Sequence, residues 1–277
     1  MKQLRIIFVL ILFIGLYSAN TFSSEGKKPL RFGSVAMDSP VMMQRRLLPL
    51  TNYLSEALGR PVVLKLSTDM PGAINAVAHG DVDFAYLTPV AYVDAHAKGK
   101  AKIVVRTVTD NQPTFKLMIV VREDSPIHKV EELQGKRFAF GDPAALLQRA
   151  VVVGAGMPLQ RLGEYAFVNH YDNVVRGVLV GDYDAGIVLE NTAYRWQGKG
   201  IRVLYSSKAL PPYNIAASAN LDNHTVKELR QALLRLKSAD PKYKPVVAAL
   251  AESYTGFAPA SDADYDIVRT LIKPFMK

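Results

Sequence analysis

The 277-residue chain contains no cysteine and a single tryptophan. With no thiol there is no disulfide scaffold, no cysteine-ligated zinc and no cysteine nucleophile. Runs of four or more basic residues are also missing, and the bases are not interleaved with aromatics, so a nucleic-acid surface is not expected. Catalytic templates are equally scarce. The sequence has no G-x-S-x-G, no H-E-x-x-H, no phosphate-binding Walker loop and no G-x-G-x-x-G, and Gly154-Ala155-Gly156 carries only G-x-G. The five histidines, His79, His96, His128, His170 and His224, have no metal-ligand spacing. No enzyme, cofactor or metal is therefore expected.

What is present is an ordinary globular composition, 49% hydrophobic and 21% charged, long enough for one large domain or two smaller ones. The N-terminus has the three parts of a secretory signal: basic Lys2 and Arg5, an uncharged run from Ile6 to Tyr17, and small or polar residues to Ser24. The run is well short of the ~20 residues that a membrane span needs. A signal peptide over residues 1–24 is expected, with an uncleaved N-terminal anchor as the alternative. Removing Lys2 and Arg5 lowers the formal charge of +9 but leaves the chain basic.

Beyond residue 24 strand-like and helix-like segments alternate. Strands are predicted over 30–35, 61–66, 83–87, 102–107 and 115–122, with helices over 41–58, 71–78 and 89–97 between the first four. The pattern then restarts with strands over 137–140, 165–168, 185–189 and 202–205 and helices over 143–155, 174–180 and 192–197. An extended segment over 213–219 follows, and three helices (225–236, 244–252 and 264–275) end the chain, the first opening with a Thr225/Glu228 capping box. Alternation of this kind predicts βαβ crossovers and an α/β fold with parallel-dominated sheets. Gly80-Asp81-Val82-Asp83 and Gly181-Asp182-Tyr183-Asp184 echo one another, each with a glycine to end a helix and acids leading into a strand. The echo suggests two lobes of related topology: 25–115 with 215–277, and 116–214. The extended segments at 115–122 and 213–219 would form a two-strand hinge.

In such a molecule the binding site lies where strand ends and helix N-termini face the gap between lobes. The turns holding Asp38, Thr68-Asp69, Thr88 and Asp142 each precede a proline at or near the first helical turn. Free N–H groups there would favour an anion, unless Asp38, Asp69 and Asp142 cap their own helices. His170 with Asp172 reads either as a ligand contact or as a surface turn with Asp172 as N-cap.

The string Gly80–Ala95 (GDVDFAYLTPVAYVDA) resembles the phosphate/phosphite/phosphonate-binding family of periplasmic proteins. So do Leu48–Val62, Ile127–Pro143, Asp172–Gly186 and Gly256–Asp266. The resemblance implies the type II periplasmic-binding fold and a solute receptor of an ABC importer, located in the periplasm. It further implies a small-molecule ligand such as an oxyanion or organophosphorus compound, and a membrane permease as partner. A sensor kinase, or a scaffold with a degenerate cleft, is the alternative.

By the same resemblance Tyr92 matches a cleft tyrosine, and Met70 falls where an aromatic residue is usual. Tyr171 or His170 stands for the family's histidine, and Glu190 lies near an acid that meets an amine. The hydroxyl-rich run that holds the oxyanion is replaced by Ala144, Ala145, Leu146 and Leu147. Loss of two or three charge-assisted hydrogen bonds, at roughly 1.5–3 kcal/mol each, implies a larger or less charged ligand.

Overall fold

The computed structural model describes residues 27–35 and 38–276; the expected signal peptide over 1–24 lies outside the described residues. Eleven strands among them form two sheets. The first holds β1 (Leu30–Ser34), β2 (Val62–Leu66), β3 (Phe84–Leu87), β4 (Lys102–Thr109), β10 (Asn214–Ala217) and β11 (Tyr254–Pro259), in the order β11-β4-β10-β3-β1-β2. The second holds β5 (Leu117–Arg122), β6 (Arg137–Phe140), β7 (Glu164–Phe167), β8 (Ala185–Leu189) and β9 (Ile201–Ser206), in the order β7-β6-β8-β5-β9. The architecture is α/β with two lobes. Its sheets are mixed, which corrects the expectation of parallel dominance. Pairs made by βαβ crossovers are parallel, whereas β5 and β10, the strands nearest the two chain crossings, insert antiparallel to both of their neighbours.

The helices form where apolar residues recur at helical spacing. Helix α1 (Pro40–Ala57) buries Met43, Leu47, Leu50 and Leu54 on one face, each worth roughly 1.5–3 kcal/mol of burial. Helices α2 (Met70–His79) and α3 (Pro89–Gly99) follow in the first lobe, and α4 (Leu146–Gly154), α5 (Tyr171–Val180) and α6 (Glu190–Trp196) in the second. Helix α7 (Asn223–Arg235) is capped by Asp222, whose carboxylate accepts the Thr225 N–H at 2.8 Å. The expected Thr225 box is thus displaced, because an acid three residues upstream takes the cap. Helix α8 (Lys244–Leu250) precedes β11, and α9 (Asp266–Ile272) is the last α-helix among the described residues.

The repeated Gly-Asp-x-Asp strings build the same clamp twice. Gly80 and Gly181 end α2 and α5 in the left-handed conformation, both at φ 83°, a position that favours glycine. Three residues on, Asp83 accepts the backbone N–H of Arg31 at 2.6 Å and its guanidinium at 2.9 Å, while the guanidinium also donates to the Gly80 carbonyl at 2.8 Å. Asp184 repeats this on Arg137, at 2.8 and 3.0 Å, with the Gly181 carbonyl at 2.8 Å. Burial pushes both carboxyls up, but the arginine hydrogen bonds outweigh it and hold them below the ordinary range. Each clamp ties the start of a strand to the helix end opposite, and so fixes one crossover of its lobe.

The chain crosses between the sheets twice, between β4 and β5 and between β9 and β10. There Phe115 and Leu210 pair through two backbone hydrogen bonds of 3.0 and 2.8 Å. A third connection was not anticipated. Helix α9, expected wholly within the first lobe, packs on α4 of the second lobe as well as on α3 of the first. Tyr265, Val268 and Ile272 share one buried cluster with Ala91 and Ala95 of α3 and with Ala150 and Val151 of α4.

Candidate functional site

Between the sheets lies a cleft of about 1020 Å³, walled by both lobes and by the crossing segments. From the first lobe come residues of α1, the N-terminal turns of α2 and α3, and Tyr86 and Tyr254 of β3 and β11. The second lobe supplies Asp142, the turn Ala144–Gln148, Tyr171, and Glu190 at the start of α6. Lys116, Phe115 and Tyr213 line the cleft from the crossings.

The walls are largely apolar and phenolic. Tyr86 stacks on Tyr213 with ring centroids 5.3 Å apart, and the hydroxyls of Tyr86 and Tyr254 are hydrogen-bonded at 2.7 Å. On the other side Gln148, itself buried, accepts the Gly141 N–H at 2.8 Å and donates to the Tyr171 hydroxyl at 3.2 Å. Burial pushes the Tyr171 phenol up to about 12, against a smaller opposing effect of Gln148. Burial likewise raises Tyr86, Tyr213 and Tyr254, and Tyr171 and Asp142 from the far lobe add to the rise at Tyr213. All four phenols are therefore neutral near pH 7.

Seven of the residues expected at the site lie on these walls: Met70, Thr88, Ala144, Ala145, Leu146, Tyr171 and Glu190. Asp38 and Thr68 instead line a small hollow of about 30 Å³ that shares Met43 with the cleft. Asp38 pairs with the cleft residue Arg46 at 3.1 Å.

Three residues are corrected. The Tyr92 side chain faces inward, 0% exposed, and donates its hydroxyl to Asp262 at 2.7 Å beside the ring of Tyr265. The face of α3 toward the cleft carries Val90, Ala91 and Asp94 instead. His170 and Asp172 are exposed at the start of α5 and do not line the cleft. Asp172 pairs with Arg195 at 2.5 Å; the pair lies at the surface, but Asp172 sits inside the first turn of α5 and the N-cap position is His170, so the expected Asp172 cap is not formed. Of the adjacent pair His170 and Tyr171, only Tyr171 enters.

Capping decides what the helix N-termini can offer. Asp69 accepts the Gly72 N–H at 2.7 Å, and Thr88 accepts the Ala91 N–H at 3.1 Å. Ser39, not Asp38, caps α1. Helix α4 was expected from Pro143 and begins at Leu146, because Asp142 closes a turn ahead of it. Its carboxylate accepts the Ala144 N–H at 2.8 Å and its carbonyl the Ala145 N–H at 3.0 Å.

Sequence reasoning missed Arg46, Lys116, Tyr86, Tyr213 and Tyr254 as wall residues. Tyr86 sits in a wholly buried strand and Tyr213 follows Pro211-Pro212, so both read as scaffold. Tyr254 belongs to β11, which was not expected at all.

Residues 32–265 match the family of periplasmic substrate-binding proteins of phosphonate ABC transporters. The phosphonates-binding periplasmic protein of Escherichia coli is 26% identical over 141 residues, which are 47% of this chain and 42% of that protein. The match thus spans less than half of that relative. The phosphate-import protein PhnD of Mycolicibacterium smegmatis is 23% identical over 249 residues, covering 80% of this chain and 78% of its own. Among solved structures, XAC2383 of Xanthomonas citri bound to chloride superposes with a TM-score of 0.72 at 21% identity, covering 88% of this chain and 95% of its own. PhnD1 of Prochlorococcus marinus in complex with methylphosphonate gives 0.68 at 17% identity, covering 90% and 98%. These two likenesses establish the type II periplasmic-binding fold.

Proposed function

The chain belongs to the family of periplasmic substrate-binding proteins of phosphonate ABC transporters, and on that premise we propose that it is a receptor whose lobes close on a small solute and present it to a membrane permease. The observation that carries this reading is the cleft itself. Its walls come from both lobes, and the chain crosses between them at only a few residues, so a ligand that touches both walls favours the closed arrangement over the open one.

The permease is preferred to a sensor kinase because a curated relative is named as an import protein. The family works in the periplasm, and the signal-like N-terminus agrees with export. We place the ligand contacts at Met70, Thr88, Ala144, Ala145, Leu146, Tyr171 and Glu190, joined by Tyr86, Tyr213 and Tyr254.

The oxyanion cradle of this receptor is altered. At Ala144 and Ala145 a ligand meets methyl groups where hydroxyls would otherwise donate, and the turn's own N–H groups are committed to Asp142.

The test is to purify the protein from its native periplasm, identify any small molecule carried with it by mass spectrometry, and add it back. Scattering should show compaction, and melting should rise by the equivalent of about 2.7 kcal/mol at a hundredfold excess over Kd. A protein that carries no solute, and that neither compacts nor gains stability with any compound of a periplasmic extract, would refute the receptor reading.

A further inference from the structure

Helix α9 touches both lobes, and it meets them with different kinds of contact. On the first-lobe side it continues the chain from β11 through the turn Asp262–Tyr265, and the fastening there is polar. Asp262 accepts the Tyr92 hydroxyl of α3 at 2.7 Å and the guanidinium of Arg269 from α9, which also donates to the Asp262 carbonyl at 3.1 Å. Asp264 lies 3.7 Å from the guanidinium of Arg106 on β4. On the second-lobe side, among the described residues, no hydrogen bond or ion pair joins α9 to α4. That contact is apolar: Val268 and Ile272 share a buried cluster with Ala150 and Val151, with Leu271 packed against it.

A glycine at the end of α4 marks how close the two helices come. Gly156 supplies the positive φ, 101°, just past α4, so Gly154 has no turn to make. Glycine within a helix is less stable than alanine by up to ~1 kcal/mol. At Gly154, however, a Cβ would stand 2.6 Å from the Cδ2 of Leu271, roughly 1 Å inside ordinary carbon contact. Neither Gly154 nor Leu271 lines the cleft.

Hydrogen bonds are directional and weaken when tilted, whereas apolar contact has no preferred angle. The polar side of α9 therefore holds its place in the first lobe, while the apolar side lets α4 rock. Resting on the receptor reading above, we propose that α9 moves with the first lobe and that the seat of Leu271 on Gly154 is the stop that sets how far apart the lobes rest. That resting separation fixes the share of molecules near the closed form. With it goes the apparent affinity for a solute that this contact never touches.

Spin labels test this on the free protein, without any solute. The chain has no cysteine, so pairs introduced at exposed positions label cleanly. Glu56→Cys on α1 with Arg176→Cys on α5 spans the lobes, and Glu56→Cys with Thr270→Cys spans the first lobe and α9. In pulsed electron resonance, Gly154→Leu should shift the mean Glu56–Arg176 distance by roughly 1 Å or more and leave Glu56–Thr270 where it is. Adding Leu271→Ala should bring the first distance back toward wild type. Gly154→Ala carries the Cβ alone and gives the same comparison where the larger side chain prevents folding. An unchanged Glu56–Arg176 distance in both Gly154 variants would overturn the inference, Leu271 having simply turned aside. So would a shift that Leu271→Ala fails to reverse. A Glu56–Thr270 distance that moves along with the other would overturn it as well, since α9 would then travel with the second lobe. None of these outcomes bears on whether a solute binds, which the copurified-solute experiment decides separately.

Discussion

Substitution of Tyr92 separates scaffold from binding site. The side chain is wholly buried, its ring lies 4.6 Å from that of Tyr265, and its hydroxyl donates to the carboxylate of Asp262. Tyr92→Ala removes a large aromatic from a packed core, a change that costs roughly 3–5 kcal/mol. Tyr92→Phe keeps the packing and deletes one hydrogen bond to a charged acceptor, worth roughly 1.5–3 kcal/mol when fully buried. Asp262 is partly exposed and still paired with Arg269, so about 1 kcal/mol is the expected loss after solvent discounting. Urea denaturation followed by circular dichroism should therefore rank wild type, Tyr92→Phe and Tyr92→Ala in descending order, with the larger step between the last two. In calorimetry with the native solute, Tyr92→Phe should bind like wild type, because the phenol faces Asp262 and not the cleft. A Tyr92→Phe variant of unchanged stability with a tenfold loss of affinity would refute this placement and return Tyr92 to the binding surface.

The twin clamps give a matched pair of variants. Asp83→Ala strands a backbone N–H and a guanidinium and should cost roughly 2–3 kcal/mol. Asp184→Ala should cost less, about 1–2 kcal/mol, since its pair with Arg137 is the more exposed of the two. The reverse order in urea titrations would contradict the burial argument. Both carboxyls, and that of Asp262, titrate below their ordinary range in the folded protein. Their stabilisation is therefore complete above the unfolded carboxylate value near ~4 and is lost as the pH falls from there through the folded values. A melting temperature that declines below about pH 4, with a shallower decline in Asp83→Ala, is the expected result.

Much of the fold was legible because its signals are local. Apolar periodicity and the punctuating prolines place β1 to β10 and the helices to within a few residues, and the Gly-Asp-x-Asp echo marks two crossovers built alike. Elements governed by competition between neighbours were less legible. Asp222 outcompetes Thr225 for the α7 cap, and Asp142 spends three residues on a turn before α4 begins. Strand β11 was missed because Gly256 and Pro259 break the alternation that marks a strand, and pairing with β4 at the sheet edge supplies what propensity does not.

The cleft walls were legible only in part. Ala144–Leu147 line the cleft, whereas Tyr92, expected beside them, is buried in the core, since residue type alone does not say which face of α3 turns inward. Tyr86 and Tyr213, read as scaffold, contribute their rings and hydroxyls to the cleft from elements that are otherwise core.

Helix α9 constrains how the molecule can work. Its side chains pack on α3 of one lobe and on α4 of the other, so the closing motion proposed above has to be one that keeps both of these contacts. A bend about the crossings that slides neither α3 nor α4 along α9 satisfies that condition, and a twist that shears one of them past it does not.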